Sequence, residues 1–414
     1  MNIVLVNHYA GTGKSMEFRP YFMAKRWVRQ GHQVTIVLSS YSHLRSDNPD
    51  TLERPYWVEE IDGIRYFWIN GPAYQGNGLG RIKNMLSFIR GLYHYEPQIN
   101  ENGKPDAVIA SSTYPLEIYP LHKMAKRHNA QLIYEVHDLW PLSPMELGGI
   151  PKYHPYIMLM QAAENYCYKH SDTVVSILPN AQEHMIEHGM HPDKFVCIPN
   201  GIVKEDWENA PTGDPVYGEK LQKYHDEEYF LIGYTGAHGV ANALDSYVEA
   251  GELLQDSKIK LLLVGQGPER DRLIAKIKEL KLEDVVEALP AVARGEVPGL
   301  LAQMDALYVG LQRQPLFRFG VSPNKLMDYM MAAKPVIFAI EAGNDMVADA
   351  GCGVSIPPES PEEIARAARQ LSQTPKEQLE AMGKRGQEYI LKHHEYDVLS
   401  NEFLEVLKRH KEAK

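Results

Sequence analysis

Short apolar runs alternate with longer amphipathic segments along the first 200 residues. The runs have the length of strands, and the segments between them place apolar residues three and four positions apart. The predicted strands are Asn2–Val6, Val34–Leu38, Ile61–Ile69, Ala107–Ala110, Leu132–Val136, Thr173–Ile177 and Phe195–Ile198. Strands that alternate with helices in this way predict an α/β domain, in which helices cover a mostly parallel sheet.

The same alternation starts again in the second half of the chain. Pro199-Asn200-Gly201 and the polar stretch Lys204–Glu228 separate the two halves, and they indicate an interdomain linker rather than a simple turn. The second set of predicted strands is Tyr229–Tyr234, Lys260–Val264, Val285–Ala288, Ala306–Val309 and Val336–Ala339. We therefore predict two doubly wound domains, residues 1–200 and 201–394.

Length and composition narrow the class of protein. A chain of 414 residues is long enough for two domains with separate cores. The net charge of -11 argues against a general nucleic-acid binder, which needs a basic face. Three scattered cysteines fit neither a zinc site nor a disulfide framework. With no signal-peptide pattern and no membrane-spanning apolar run, a cytoplasmic protein is expected.

Phe317–Ala339 is the segment with the strongest chemical pattern, and it reads as loop, helix, tight turn and strand. A helix N-terminus presents free backbone N–H groups and partial positive charge, so it suits an anion. A cation in its first turn and a carboxylate one turn later suit a diphosphate and a neighbouring diol, as in a nucleotide sugar. The alternative is a capped helix with a solvated Lys and Asp. The predicted donor-binding residues here are Ser322 as N-cap, Pro323, Asn324, Lys325 and Asp328.

Small-residue turns follow three predicted strands and precede helices. The first contains Gly-Thr-Gly-Lys-Ser, but it is not a phosphate-binding P-loop, because His8 stands where that motif requires its first glycine. The other two turns lie in the second half. In open α/β sheets such turns meet at one crevice. The further predicted donor-binding residues are Gly11, Gly13, Gly236, Ala237, His238, Gly239, Gly265, Gly267 and Val292.

His137 and Asp138 follow the predicted strand Leu132–Val136 directly. The C-terminal ends of parallel strands face the ligand crevice, so a histidine there is well placed for chemistry. A structural histidine held by Asp138 is the alternative. We predict that His137 faces the reacting groups, with Asp138 orienting its ring.

Several of these motifs, in this order, resemble GT-B glycosyltransferases of the family-4 type. They are Gly31-His32, Asp138-Leu139-Trp140-Pro141, Pro199-Asn200-Gly201, the glycine loop after Tyr234, and SPNKLMDYM at 322–330. The resemblance implies two Rossmann-like domains facing a deep cleft, with a C-terminal helix, residues 395–414, that returns to the first domain. It also implies transfer of a sugar from a nucleoside diphosphate, with retention and without a metal or other cofactor.

The sequence SPNKLMDYM most resembles that of one branch of the family, the bacterial transferases for N-acetylated amino sugars such as fucosamine. That resemblance implies a donor of this kind, with uridine as the expected base, and a glycan or polyprenyl-linked acceptor. His137 falls where many family-4 enzymes have a histidine in the catalytic cleft, and Arg19 and Asp138 are expected on the acceptor side. Asp328 falls where the family has the glutamate that holds the donor ribose.

Three positions depart from the family pattern. Gly320 stands where a first glutamate belongs, and Ala237 and Asn242 replace an Arg and a Lys that neutralise the donor diphosphate. Compensating charge must come from elsewhere, because a departing diphosphate gains charge. We predict that Arg318 and Lys325 supply it, as catalytic residues, with Arg313 a weaker candidate; the alternative is that both are solvated surface cations.

Two other activities share parts of this pattern. A sugar-nucleotide 2-epimerase has the same architecture but needs acid and base carboxylates. A non-catalytic nucleotide-sugar-binding partner would explain Gly320. Separately, the helix predicted over Arg81–Tyr95 has three basic residues and a wide apolar surface. It indicates either ordinary packing on the sheet or peripheral contact with an anionic membrane.

Overall fold

Two sheets, each in its own compact unit, organise this chain. The computed structural model describes residues 1–13, 19–45, 48–49, 54–76, 78–210 and 216–412. Unit 1 comprises Met1–Asn200 with Tyr396–Lys414, and unit 2 comprises Gly201–Glu395. No helix in the described part of the chain has both the length and the apolar character needed to cross a bilayer.

Unit 1 is built on a sheet of eight strands over its described residues, in the order β3-β4-β2-β1-β5-β6-β7-β8. Every neighbouring pair is parallel except β3 and β4. The strands are β1 Asn2–Val6, β2 Gln33–Ser39, β3 Tyr56–Ile61, β4 Ile64–Ile69, β5 Ala107–Ala110, β6 Gln131–Val136, β7 Thr173–Ser176 and β8 Phe195–Cys197. The helices are α1 Arg19–Arg29, α2 Leu79–His94, α3 Glu96–Ile99, α4 Ile118–His128, α5 Leu142–Glu146, α6 Pro155–His170 and α7 Gln182–Glu187.

The strand order of unit 1 reverses at β1. The chain runs from β1 outward through β2 and then returns to β5 on the other side of β1. Ligands bind at such a switch point, beyond the carboxyl ends of the strands. The last helix of the chain, α17 Tyr396–Glu412, completes this unit by packing on α1. Trp27 of α1 donates through Nε1 to the Ser400 carbonyl at 3.1 Å and contacts Phe403 edge-on.

Unit 2 has a second sheet, all parallel over the described residues, in the order β11-β10-β9-β12-β13-β14. Its switch point lies between β9 and β12. The strands are β9 Phe230–Thr235, β10 Ile259–Val264, β11 Val286–Leu289, β12 Ala306–Gly310, β13 Val336–Ala339 and β14 Gly353–Ser355. The helices are α8 Lys204–Glu208, α9 Gly218–Asp226, α10 Leu244–Glu249, α11 Arg270–Glu279, α12 Val297–Ala302, α13 Asn324–Met331, α14 Met346–Ala350, α15 Pro361–Ser372 and α16 Lys376–His393.

Two local predictions were wrong. The helix of the SPNKLMDYM segment begins at Asn324, and Pro323, not Ser322, is its N-cap. Pro323 itself has extended backbone angles, φ of -72° and ψ of 123°, so the helix begins one residue later than predicted. The polar stretch Lys204–Glu228 is also more than a linker, because it contains α8 and α9. Leu221 of α9 is fully buried and anchors that helix on the core of unit 2.

Candidate functional site

The glycine loops after β9 and β10 touch each other backbone to backbone in unit 2. Gly236 N–H donates to the Val264 carbonyl at 3.0 Å. A Cβ on Gly265 would lie only 1.9 Å from the Gly236 carbonyl oxygen, so no side chain fits there. This close contact between the two backbones is the physical reason why the turns need small residues.

His238 lies between these two loops, and its side chain is almost completely buried. Its backbone N–H donates to the Gln266 carbonyl at 2.9 Å. Neither ring nitrogen has a hydrogen-bond partner among the described residues. Burial, together with the nearby charges of Arg270 and Lys325, lowers the pKa of His238 to about 4. The ring is therefore neutral at pH 7 and has one donor and one acceptor nitrogen for a ligand to engage.

Lys325 extends from the first turn of α13 to the loop after β9. Its Nζ donates to Tyr234 Oη at 2.8 Å and to Asn242 Oδ1. Tyr234 Oη and Asn242 Nδ2 both donate to the Ala237 carbonyl, at 2.6 and 3.0 Å. Burial lowers the pKa of Lys325 to about 8. The lysine has three N–H donors, and no third partner is found in the described part of the chain.

This contact brings a cation to the loop where Ala237 and Asn242 stand in place of the family's charged pair. Asn242 itself accepts a hydrogen bond from Lys325. The charge of Lys325 therefore lies beside position 242, where the resemblance led us to expect a lysine. Gly236 is also close, since a Cβ placed on it would lie 3.8 Å from Lys325 Nζ. The geometry is that of a positive group beside exposed loop backbone, which suits an anion.

Asp328, one turn further along α13, is buried and paired. Arg294 Nη1 and Nη2 donate to its two carboxylate oxygens at 2.6 and 2.7 Å. Burial raises the pKa of Asp328, and Arg294 only partly offsets that rise. Both residues line a cavity of about 350 Å³ together with Trp207. Each carboxylate oxygen keeps a second lone pair, so the pair can still accept hydrogen bonds from a diol.

The other residues predicted to bind the donor near this helix differ in their exposure. Asn324 is exposed at the first position of α13, and Ser322 and Pro323 are partly buried before it. Val292 is partly buried against the core that α13 also contacts. Gly320 has φ of +99°, a conformation in which a glutamate at this position would be strained.

Arg318 contacts its own turn. It lies in a 3-10 helix, Pro315–Phe319, where its Nη1 donates to the Pro315 carbonyl at 2.7 Å and its guanidinium covers the Phe319 ring. Its side chain is exposed. Arg313 pairs with Glu341 at 3.2 Å. Of the three cations considered, Lys325 is the one that these contacts bring to the glycine loops.

In unit 1, His137 belongs to a buried polar network at the ends of β5 and β6. Ser111 Oγ donates its only proton to Glu135 Oε2 at 2.5 Å, and it lies 2.9 Å from His137 Nε2. Ser111 therefore accepts from an Nε2–H, and Nδ1 is the acceptor nitrogen in the neutral form of the ring. Nδ1 has no partner among the described residues. The side chain of His137 is 14% exposed, so a substrate hydroxyl could reach it.

Glu135 orients His137, which corrects the prediction that Asp138 does so. Burial alone would raise the pKa of Glu135, yet Arg19, His137 and Ser111 together hold it below its usual range. Arg19 Nε donates to Glu135 Oε1 at 3.0 Å, and its two other nitrogens donate to the carbonyls of Ile198 and Pro199. Asp138 is exposed. Arg19 is thus a buried positioning residue in this structure.

The glycine loop after β1 is described only in part. Gly11 is buried and Gly13 turns with φ of +83°, whereas Lys14 and Ser15 of the predicted loop lie outside the described residues. His8, at the start of this loop, is fully buried between Tyr114 Oη and Asn84 Oδ1, each at 2.6 Å. Burial lowers the pKa of His8 to about 3, so it is a neutral structural group.

Helix α2 contains the residues of the predicted membrane contact, and its basic residues lie on two different sides of the helix. Arg81 points inward: its Nη2 donates to Tyr9 Oη at 3.3 Å, and its guanidinium lies 5.9 Å from the Trp140 ring centre. The opposite side of the helix is an outer stripe of exposed residues at helical spacing. The outer stripe consists of Leu79, Ile82, Lys83, Leu86, Arg90 and Tyr93.

Four residues of these sites were not predicted from the sequence. Glu135 and Ser111 hold His137, Arg294 holds Asp328, and Arg270 begins α11 beside His238. Arg270 follows the second glycine loop directly, so its position in the chain could have indicated it. Glu135 lies in the middle of an apolar run, and a charged residue in a buried strand is a signal for a paired network.

Comparison with known proteins gives both units a counterpart. Residues 19–201 match the model of a glycosyl transferase 4-like domain, and residues 219–389 match glycosyl transferases group 1. The chain is 25% identical over 402 residues to D-inositol 3-phosphate glycosyltransferase of Kineococcus radiotolerans, covering 91% of this chain and 86% of that protein. It is 23% identical to the putative colanic acid biosynthesis glycosyl transferase WcaI of Escherichia coli, covering 86% and 88%.

Solved structures show the same fold. Anabaena HepE in complex with UDP superposes with a TM-score of 0.69 at 16% identity, covering 99% of this chain and all of that one. The two family matches together span most of the chain, one in each unit.

Proposed function

The chain is a GT-B glycosyltransferase of the family-4, group 1 type, which uses a nucleotide sugar as donor, and from that premise we propose its substrates and its working residues. The proposed donor is a UDP-linked N-acetylated amino sugar, and the proposed acceptor is a glycan or a polyprenyl-linked sugar. Transfer breaks the bond from the anomeric carbon to the oxygen of the diphosphate, which leaves with the bonding electrons. The acceptor oxygen forms the new bond to that carbon, and the proton of the acceptor hydroxyl passes to Nδ1 of His137.

The contact of Lys325 with the loop after β9 is the observation that carries this proposal. A family-4 transferase needs positive charge at that loop to stabilise the departing diphosphate, and Ala237 and Asn242 do not provide it. Lys325 is attached to that same loop through Tyr234 and Asn242. A preorganised charge in a partly buried site stabilises a developing anion more than it would in water. Lys325, with the backbone N–H groups of the glycine loops and of α13, binds the diphosphate in this proposal.

His238 gives the same site an uncharged hydrogen-bond donor. Its imidazole is buried between the two loops and has no partner among the residues that the structure describes. An unpaired buried polar group costs about 1–3 kcal/mol. A donor phosphate that approaches the glycine loops offers the ring an acceptor. We assign His238 to donor binding on this basis, together with Gly236, Gly239, Gly265 and Gly267.

Asp328 and its cavity suit the nucleoside. The carboxylate, held by Arg294, accepts from the two ribose hydroxyls in the proposed complex, and the cavity of about 350 Å³ has room for part of a nucleoside. Uridine is proposed as the base, and the UDP complex of HepE, a protein of the same fold, supports that choice. The proposal of an amino sugar is based on the SPNKLMDYM segment, whose sequence resembles that of transferases for such sugars.

His137 is proposed to face the reacting sugar or the acceptor hydroxyl. Its open Nδ1 is the acceptor for a substrate hydroxyl, and Glu135, Arg19 and Ser111 hold the ring in one tautomer. Retention at the anomeric carbon and independence of metal ions are proposed from the family resemblance. The protein then works by positioning and electrostatics, with charge supplied by Lys325 rather than by a nucleophilic side chain.

The outer stripe of α2 suits an acceptor that is anchored in a membrane. Leu79 is 83% exposed and Leu86 54%, and Lys83 and Arg90 lie on the same side. Exposed apolar side chains with flanking cations are typical of helices that lie on an anionic bilayer. We propose a peripheral position on the cytoplasmic face, where a polyprenyl-linked acceptor would be presented.

A panel of nucleotide sugars tests the proposal. Binding is measured by calorimetry for UDP, GDP and dTDP, each free and linked to glucose or to an N-acetylated amino sugar, and product formation is followed by mass spectrometry. We expect the tightest binding for the UDP-linked amino sugar and slow hydrolysis without acceptor. Preference for GDP or dTDP would overturn the base, an epimer as product would indicate a 2-epimerase, and binding without any turnover would indicate a non-catalytic partner.

A further inference from the structure

Two histidines and a glutamate from two helices of unit 1 form a cluster, and none of the three belongs to the sites described above. Glu164 of α6, His184 of α7 and His188 at the end of α7 each offer one ligand atom, and these three atoms lie within 4.8 Å of one another. Glu164 is fully buried and the two histidines are partly buried. We infer that these three residues form a binding site for a divalent transition-metal ion of the zinc type.

Hydrogen bonds already orient two of the three ligands. Tyr168 Oη donates to Glu164 Oε1 and Gln161 Nε2 donates to Glu164 Oε2, both at 2.8 Å. Each carboxylate oxygen keeps a lone pair for a metal. His188 Nδ1 lies 2.8 Å from the His184 carbonyl oxygen, so Nδ1 carries the proton and Nε2 has its lone pair free for coordination. Such outer-shell partners are usual around metal-binding histidines.

The spacing requires only a small adjustment. Two ligands bound at 2.0–2.1 Å in a tetrahedron are about 3.4 Å apart. The observed limit of 4.8 Å exceeds that by about 1.4 Å, a distance that rotation of a partly exposed imidazole covers. His184 and His188 are four residues apart, which places both rings on one side of α7 with their centres 4.3 Å apart.

The ligand chemistry selects the metal. Two imidazoles and one carboxylate suit zinc or a neighbouring transition metal, whereas magnesium and calcium prefer oxygen ligands alone. Three protein ligands leave a fourth position for water. Because α6 and α7 follow different strands, a bound ion would hold α7, a helix of only six residues, to the much longer α6. The expected role is stabilisation of unit 1.

A zinc titration tests this inference. Full-length protein is treated with EDTA, dialysed and titrated with Zn²⁺ in competition with a chromogenic chelator. We expect one tight equivalent per chain and a melting temperature that rises with Zn²⁺ concentration. Co²⁺ in place of Zn²⁺ should give the visible absorption of a four-coordinate site.

Variants assign the site. Glu164→Gln and His188→Ala should each weaken Zn²⁺ binding by at least the roughly ten- to hundredfold that outer-shell substitutions cost. His191→Ala is the matched control, because His191 is 68% exposed outside the cluster, and it should bind as the parent does. Glu164→Gln keeps the size of the side chain, and His188→Gln is the second histidine variant if His188→Ala does not fold. Equal affinity in parent and variants, or no tight equivalent in the parent, would overturn the inference, whatever the transferase activity.

Discussion

His137 in unit 1 and His238 in unit 2 both lie at the carboxyl ends of central strands, but their surroundings differ. His137 is held by Ser111 and Glu135, and Glu135 is paired in turn with Arg19. His238 is more deeply buried and has no partner for either ring nitrogen among the described residues. One histidine is positioned by the protein, and the other lacks the partner that a buried imidazole requires.

The difference indicates a division of labour between the units. A fully connected polar network is rigid, and it can present one nitrogen to a substrate in a fixed direction. A buried ring without partners, next to a lysine whose pKa is lowered to about 8, is the arrangement of a site that a ligand completes. Unit 1 would therefore orient the acceptor chemistry, and unit 2 would gain its stabilising contacts when the donor binds.

The largest expected effect is that of His137→Ala. In the proposed reaction His137 takes the proton of the acceptor hydroxyl, so its loss should lower turnover by about 10²- to 10⁴-fold. The donor affinity, measured by calorimetry, should stay within about twofold, since the proposed donor contacts lie in unit 2. Ser111→Ala keeps the imidazole and should cost much less. Equal losses in turnover and donor affinity would mean that His137 is structural and that the proposed division fails.

Lys325→Met tests the proposed diphosphate site of unit 2, as His137→Ala tests unit 1. Removing one preorganised charge from the diphosphate site should lower turnover by about ten- to a thousandfold with saturating donor. Arg318→Met, predicted from the sequence to cost as much, should cost less because Arg318 donates to its own turn. Arg313→Met, whose side chain pairs with Glu341, is the matched control. Near-parental rates for Lys325→Met would show that another group holds the phosphates.

Asp328→Asn should weaken donor binding by about 2 kcal/mol, or roughly thirtyfold, because it removes the charge from two ribose hydrogen bonds. Arg294→Met keeps the carboxylate but removes the residue that orients it, so a smaller loss is expected. The affinity for UDP, measured by calorimetry for both variants, checks the order. If Arg294→Met binds UDP more tightly than the parent, the arginine competes with the ribose instead of supporting its binding.

The lowered pKa of Lys325 predicts a pH dependence. In the proposed complex the charged lysine binds the diphosphate. The affinity for UDP is therefore full well below pH 8 and falls as the pH rises through about 8, by up to tenfold per pH unit. Calorimetry with UDP between pH 6.5 and 9.5 measures this slope. Lys325→Met should show no slope in this range, and His238, with a pKa of about 4, adds none. A slope that persists in Lys325→Met would place the titrating group elsewhere.

The strands were predictable from the sequence because buried parallel strands are continuous apolar runs. β1, β5 and β13 have the predicted bounds, and most others differ by one or two residues. β3 was missed over most of its length because its residues are largely exposed and lack such a run. Ser111, Ser112 and Pro115 are typical loop residues, and they give no signal of helix α4, which begins at Ile118.

The partners within the sites were not predictable, for a different reason. Arg294 meets Asp328 from another loop, and Glu135 meets Arg19 over 116 residues of sequence. Local patterns describe one element at a time, whereas these pairs depend on how strands are ordered in the sheet. The position of Lys325 was different, because the missing charges at Ala237 and Asn242 required a cation and only a few lay near the anion-binding helix.

The two units also differ in the exposed apolar side chains on their surfaces. Substitutions on this surface have the smallest expected effect of those considered. Of the twelve large apolar side chains that are exposed among the described residues, ten lie in unit 1 and two in unit 2. Four of those ten lie on the outer stripe of α2 with Lys83 and Arg90. Arg81, which the sequence grouped with them, contacts Tyr9 and is left out of this surface.

Flotation with vesicles containing anionic lipid measures this surface directly. A basic residue near such a bilayer contributes about 1 kcal/mol, so Lys83→Gln or Arg90→Gln should each lower the vesicle partition coefficient about fivefold at low salt. Leu86→Ser should weaken binding at any salt concentration, because it removes apolar contact rather than charge. Lys104→Gln and Lys408→Gln make the same change of charge on exposed residues outside the stripe and should bind as the parent does. No binding by the parent, or equal binding by all variants, would leave unit 1 with the acceptor chemistry but without the proposed membrane contact.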